Sequence, residues 1–520
     1  MQHSLLPFRD THSFSNFFLD YINQTESLKA FYRHFPLVEN FKSQIEEKKK
    51  SFPNHNRQVL VQTLQHQYKS LTVSDKVSTN IDSLSSANTF TVTTGHQLNI
   101  FTGPLYFIYK IVTVVNACKK LKETYPDSHF VPVYWMASED HDYEEIKSFR
   151  LYGKKYTWTT EEKGAVGRFS TKGFESLLKE IPGDTSLFKE AYLKNKTLSD
   201  AVRYYVNGLF GNEGVIVVDA DDRNLKSLFT NVIREDVVDS SLAGKVSEST
   251  NQLQSLGYHT QVNARDINFF YLHDQLRARI EKKGDEFIVV DSNIRFSRNE
   301  LEKLIKTEPE RFSPNVILRP LYQEIILPNL AYIGGPSEVV YWLQLKSVFE
   351  HFNTPFPMLM PRNFAMIVDQ PTKRKLDKTG LEVKDFFESK NFISNHWIVK
   401  NTHHNLSLGA EVNSIEQLFE SIKQRATAID STLAPLTSAK AKKAIDSLHV
   451  IEKKFLKAEK RNQSDKLGQI EAVKDILFPN GSLQERTDNF LNFYQQDAQF
   501  IEKLITSFNA FDFRMNVLSY

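Results

Sequence analysis

At 520 residues, with 65 Lys and Arg against 63 Asp and Glu, the chain carries a formal charge of +2. No overall field therefore favours nucleic acid or an anionic membrane as a partner. The length exceeds the roughly 100–200 residues of one domain, so at least two are expected. The one cysteine, Cys118, excludes an internal disulfide and a cysteine-built metal site, and reads as a small buried hydrophobe.

The opening MQHSLLPFRDTHSF has no basic stretch followed by an apolar one, and no window approaches about 18 uninterrupted apolar residues. A cytoplasmic protein without a membrane span is expected. NFFLDYI, LKAFYRHF and VLVQTLQHQYKSL repeat at helical spacing, which predicts a helical segment over residues 1–75. From Thr89 the β-branched run TFTVTT predicts a strand that ends in GHQLNIFTG. The helix PLYFIYKIVTVVNACKKLKE follows, with Pro104 in its first turn. FVPVYWMA is the next strand, and it runs into SEDHDYEE. Strand, helix, strand is a βαβ unit, the builder of parallel sheets.

The pattern returns in GVIVVDADD (214–222), in NLAYIGG (329–335) with the helical PSEVVYWLQLKSVFEHF, and in PFPMLMPRN (355–363). The fold class is α/β, with a doubly wound core over residues 76–410. Two stretches depart from it, at about 150–210 and 257–312, and read as insertions. Beyond residue 411, Ile415, Leu418, Ile422, Ile429, Leu433 and Leu436 keep a three-, four- or seven-residue spacing, which Ile445, Leu448, Ile451 and Phe455 resume. A C-terminal helical hairpin or coiled coil over 411–520, interrupted at Pro435 and suited to dimerisation, is expected.

Strands of an open α/β sheet present ligands at their C-terminal ends, where strand order reverses. Three polar clusters sit at such ends: Gly95, His96 and Gln97 with Thr102 and Gly103; Glu139, Asp140, His141 and Asp142; and Gly334, Gly335, Pro336, Ser337 and Glu338. The first and third open helices whose free N–H groups suit an anion, although each is equally a capped turn. Neither is a dinucleotide or P-loop signature. Crowded carboxylates raise one another's pKa values, which suits a general base. Adjacent Asp140, His141 and Asp142 diverge too much to share one metal ion, so no metal site is assigned. A solvated acidic loop is the bland alternative. Arg319 either clamps a carboxylate or phosphate or forms a core ion pair. Lys453, Lys454, Lys457, Lys460 and Arg461 form either a solvated helix face or a nucleotide-phosphate site. Ser482 and Glu485 have the spacing of a capping box.

Together GHQLNIFTGPLYFIYK, PVYWMASEDHDYEEI, SPNVILRPLYQEIILPNLAYIGGPSEVVYWLQLK, PFPMLMPRN, KKFLKAEKR and LFPNGSLQER resemble the BshC family, the cysteine ligase of bacillithiol biosynthesis. The resemblance runs from about residue 90 to the C-terminus. It implies a Rossmann-like core with two connecting-peptide insertions, and a C-terminal α-helical coiled coil that forms a homodimer. It also implies that L-cysteine is added to glucosaminyl-malate through an amide bond. Activation of a free carboxylate ordinarily takes ATP, leaving AMP or ADP, with Mg²⁺ accompanying the nucleotide. Yet the HxGH and KMSKS signatures of adenylating relatives are absent. Glu139, Asp140, His141 and Asp142 become the catalytic candidates, and Gly95, His96, Gln97, Thr102, Gly103, Arg319, Gly334, Gly335 and Ser337 the substrate-binding ones. Two other classes stand beside this: a non-catalytic nucleotide- or thiol-binding scaffold, and a metal-dependent hydrolase or transferase acting at SEDHD.

Overall fold

The computed structural model describes residues 2–519. Its core is a five-stranded parallel sheet of Thr89–His96, His129–Met136, Ile216–Asp219, Asn329–Gly334 and Met358–Pro361. These strands read as nearly continuous apolar runs because both faces are covered. Along the second strand, Val131, Val133 and Trp135 enter one hydrophobic cluster while Tyr134 and Met136 enter another. The 19-residue helix Tyr106–Thr124 crosses from the first strand to the second and is buried along most of its length.

In space the strands lie in the order third, second, first, fourth, fifth. The chain therefore leaves the first strand in one direction and later resumes beside it in the other. That reversal opens a crevice between the C-terminal ends of Thr89–His96 and Asn329–Gly334, where open α/β sheets bind ligands.

Residues 1–75 are mainly helical but begin with a strand, Gln2–Leu6. It pairs antiparallel with Met515–Ser519, which runs parallel to Phe364–Val368. Five-residue strands whose partners lie at the other end of the chain leave no local periodicity to read. Residues 148–157 form a two-stranded hairpin, followed by the helices Phe174–Glu180, Ser186–Lys194 and Leu198–Phe210. Between residues 269 and 314 a five-stranded antiparallel sheet covers one side of the crevice.

The helical hairpin consists of Gly409–Ile429 and Leu433–Asn462. Pro435 does not interrupt it. The break falls at residues 430–432, and Pro435 is the third residue of the second helix, where backbone N–H groups have no partner to lose. The hairpin occupies only part of 411–520. From Ser464 the chain returns to the core: helix Ser464–Leu477 packs on Gln370–Thr379, and the turn Gln484–Thr487 packs on Phe364–Val368. Among the described residues no helix is long and apolar enough to cross a membrane.

Candidate active site

One carboxylate ties the two banks of the crevice together. Glu338 accepts hydrogen bonds from Tyr332 Oη (2.6 Å) and the Gly335 amide (2.7 Å), and pairs with Lys110 Nζ at 2.6 Å. Lys110, buried on the long helix, also donates to the Gly95 carbonyl at 2.7 Å. Burial works to raise the Glu338 carboxyl, but Lys110 and the other donors outweigh it and hold the group at about 2. A Cβ on Gly334 would lie 2.9 Å from that of Glu338, so only glycine lets the strand end approach the carboxylate so closely.

Above this pair lies a cavity of about 300 Å³ bordered by four cationic side chains, Lys110, Arg319, Arg362 and Arg486. Arg319 is ringed by aromatics, with its guanidinium carbon 5.7 Å from the Trp135 ring, 5.4 Å from Tyr332 and 5.6 Å from Trp342. Its Nη1 donates to Gln323 at 3.2 Å. Arg362 stacks at 4.0 Å on Phe364 and forms a two-pronged bond to Glu485, Nη1 to Oε2 at 3.0 Å and Nη2 to Oε1 at 2.5 Å. The side chain of Arg486, exposed on the adjoining turn, makes no hydrogen bond or ion pair among the described residues.

His96 also borders this cavity, but its Nε2 is shut off from solvent and has no protein partner. Burial, reinforced by Lys110 and Arg362 against the opposing pull of Glu338, pushes the imidazole down to about 3. It is neutral at physiological pH. The unfolded chain takes up a proton near 6.5, whereas the folded chain does so only near 3. Stability should therefore fall as pH drops through that interval and be unaffected by this group above it. His96→Asn should flatten the loss of stability between pH 7 and 5, as read by urea unfolding at each pH.

A second cavity, about 540 Å³, shares Trp135, Ala137 and Arg319 with the first and has Glu139 and Asp140 on its wall. The acids of SEDHD do not act together. Asp140 Oδ2 accepts from Gln97 Nε2 at 2.9 Å, and Oδ1 accepts from the His141 amide at 2.7 Å. Burial would raise this carboxyl, but bonds from His141 and Gln97 and the nearby Arg277 hold it well below the usual carboxylate range. Glu139 pairs with Lys226, which is fully buried. Here burial prevails and the carboxyl is pushed up, although Lys226 opposes it. Asp142 lies outside both cavities and caps the short helix Tyr143–Ile146. The exposed His141 ring lies with Nδ1 2.7 Å from Arg277 Nη1. The mutual repulsion expected of crowded carboxylates is replaced by a separate partner for each. The divergence leaves no common point for one metal ion.

Of the expected binding residues, Gly95, Gln97 and Gly335 border the first cavity together with His96 and Arg319, while others lie away from it. Thr102 is buried with φ at +68° and borders neither cavity. Gly103 lies beside it, its carbonyl held by Asn489 Nδ2 at 2.6 Å. Nearby, the Leu105 amide already donates to the Asp488 carbonyl at 2.7 Å. Residues 488–489 thus hold the backbone at this helix start, while Gly103 and Pro104 border a further cavity. The turn after Gly334 is filled, since Glu338 takes the Gly335 amide and Arg362 donates to the Gly334 carbonyl at 2.9 Å. Ser337 sits exposed at the mouth of the first cavity. Lys453, Lys454, Lys457, Lys460 and Arg461 lie on the second hairpin helix and border neither cavity.

Lys110, Arg362 and Arg486 lie inside the blocks that carry the family resemblance, but the sequence assigns them no role. Glu485 gives the sharpest correction. Its S-x-x-E spacing suggests a cap, yet no side-chain cap bond forms at Gln484–Thr487 and the carboxylate is spent on Arg362. The one available signal is position: PRN closes an apolar strand, and LQER falls in a core-packed turn.

The family model "Bacillithiol biosynthesis BshC, N-terminal Rossmann-like domain" matches residues 1–363, and "Bacillithiol biosynthesis BshC, C-terminal coiled-coil domain" matches residues 365–520. The chain belongs to the BshC family. A relative from Flavobacterium johnsoniae named "Putative cysteine ligase BshC" is 42% identical over 517 residues, covering 97% of each chain. One from Cytophaga hutchinsonii under the same name is also 42% identical, with 98% of each chain covered. A third, from Salinibacter ruber, is 31% identical over 84% of each. The BshC model's division near residue 364 assigns Arg362 to one domain and its partner Glu485 to the other. The cavity is built by both.

Proposed function

We propose that the crevice binds glucosaminyl-malate across its two cavities and joins L-cysteine to the sugar amine as an amide, the last step of bacillithiol formation. One observation carries the reading: Arg319 and Trp135 form a common wall between a cavity bordered by Lys110, Arg362 and Arg486 and a second in which Glu139 and Asp140 stand beside Arg265, Arg277 and Arg279. Glucosaminyl-malate has two carboxylates at its malyl end and an ammonium on the sugar, and only the second cavity offers Glu139 and Asp140 to the ammonium. Arg319 and Arg486 take the carboxylates, with two-pronged geometry open to a guanidinium that is not already spent, as that of Arg362 is on Glu485. Asp140, fixed as an anion, holds the ammonium.

Asp140 is a poor base for the reason that makes it a good anchor. Glu139, whose carboxyl burial raises, is the better acceptor for the proton the amine loses on attack. A nucleotide cosubstrate supplies activation of the cysteine carboxylate. Such chemistry belongs to the cytoplasm. The helical hairpin exposes Leu418, Ile429, Leu436, Val450 and Phe455, Ile429 at 82%. We assign this apolar surface to a second copy of the chain.

Mass spectrometry of purified protein given glucosaminyl-malate, cysteine, ATP and Mg²⁺, each omitted in turn, tests the reading. Bacillithiol is expected only from the complete mixture, with AMP or ADP beside it. Bacillithiol formed equally without a nucleotide would contradict the activation assigned here, and no product from the complete mixture would contradict the ligase reading.

A further inference from the structure

A third cavity, about 560 Å³, adjoins the first through Gln97, Tyr106 and Arg486 and extends toward the hairpin 148–157. Its wall carries three cations, Arg150, Lys155 and Arg486, and one acid, Glu145. The side chains of Lys155 and Arg486 are exposed and have no hydrogen bond or ion pair among the described residues, and the Arg150 side chain spends only Nη1, on the Gly153 carbonyl at 3.3 Å. Asn99, itself buried, borders the same space, and its Oδ1 has no partner.

The turn that carries Arg486 is fixed on both of its flanks. On one side of it Gln484 accepts from the Ile367 amide at 2.8 Å and donates back to the Ile367 carbonyl at 3.1 Å. Glu485 is locked to Arg362. On the other side Asn489 Nδ2 donates to the carbonyls of Phe101 (2.7 Å) and Gly103 (2.6 Å). A turn fixed on both flanks presents this uncommitted guanidinium between two cavities, so the backbone needs no ordering when a ligand arrives.

We propose that this third cavity is the subsite for the polyphosphate tail of the nucleotide cosubstrate, carried as its Mg²⁺ complex. The proposal rests on the ligase reading above and adds where the nucleotide sits. Three cations with no acid spent on them match phosphate charge. A Mg²⁺ ion held mainly by phosphates needs only one or two protein carboxylates and keeps several waters. Glu145 supplies that carboxylate, and the Asn99 Oδ1 supplies an acceptor for a metal-bound water. Arg486, on the shared wall, brings the phosphate end against the crevice where the cysteine carboxylate must be activated. The basic face at Lys453–Arg461 is thereby left out of nucleotide binding.

Calorimetric titration of the full chain with MgATP, and separately with magnesium tripolyphosphate and adenosine, tests this without requiring turnover. MgATP and magnesium tripolyphosphate should bind and adenosine should not. Lys155→Gln and Arg150→Gln, which touch only the third cavity, should each weaken both phosphate ligands about tenfold, as expected for one lost charged contact. Glutamine at 453 and 457 should change neither, and Glu145→Gln should reduce the gain in affinity that Mg²⁺ gives. Binding of glucosaminyl-malate, measured alongside, should survive Lys155→Gln, so a failure of this subsite is distinguishable from a failure of the ligase reading. Phosphate binding that is insensitive to Lys155→Gln and Arg150→Gln, or lost on Lys453→Gln/Lys457→Gln, or adenosine bound as well as MgATP, would overturn the proposal.

Discussion

Glu485→Ala is expected to lower the free energy of unfolding by about 3–5 kcal/mol, because it strands the Arg362 guanidinium in the interior without its partner. Both side chains are 1% exposed, and the carboxylate also accepts from the Ala365 amide at 3.3 Å. Urea unfolding of wild type and variant gives the difference directly. The double change Arg362→Met/Glu485→Leu should recover most of that loss, since removing both charges removes the desolvation cost of each. It should not recover ligand binding, because the first cavity would have lost one of its cations. A double variant no more stable than Glu485→Ala would mean that the pair matters for its shape rather than its charge.

The second large effect concerns recognition. Arg319→Met keeps a long side chain among Trp135, Tyr332 and Trp342 while deleting the charge on the wall common to the first two cavities. A lost hydrogen bond to a charged group costs about 1.5–3 kcal/mol, or roughly 10- to 150-fold in affinity. Arg319→Met should weaken glucosaminyl-malate by that factor and free malate by a similar one, with the affinity for glucosamine nearly unchanged. Asp140→Asn should do the reverse, weakening the amino sugar and sparing malate. The asymmetry separates oriented binding from general loss of the crevice, and paired titrations with the three ligands read it out. Equal losses for malate and glucosamine in both variants would contradict the assigned orientation.

The core was legible because its strands are buried on both faces and so appear as unbroken apolar runs, each ending abruptly in polar residues. Thr89–His96, His129–Met136 and Asn329–Gly334 all announced themselves this way, and the crevice followed from their order. What escaped was whatever depends on distant partners. Gln2–Leu6 and Met515–Ser519 are too short to show a period and are strands only because they find each other. Glu485 has the spacing of a cap, and spacing cannot reveal that Arg362, 123 residues earlier, comes to claim it. The acids of SEDHD illustrate the same limit. Adjacent residues in the sequence are sent by the backbone to different neighbours, so Glu139 meets Lys226, Asp140 meets Gln97, and Asp142 turns to cap a helix. Glycine motifs suggested open helix ends, whereas residues 488–489 hold the backbone at one and Glu338 fills the other. The cations that remain open, Arg486 above all, are assigned no role by the sequence.

The most direct test of the central claim is a crystal structure of the protein with glucosaminyl-malate bound. The ligand is expected to lie across the wall formed by Arg319 and Trp135, its carboxylates within hydrogen-bond distance of Arg319 and Arg486 and its amine within reach of Asp140. Ligand density on the helical hairpin, or in the crevice with the amine turned toward the arginines, would contradict the account.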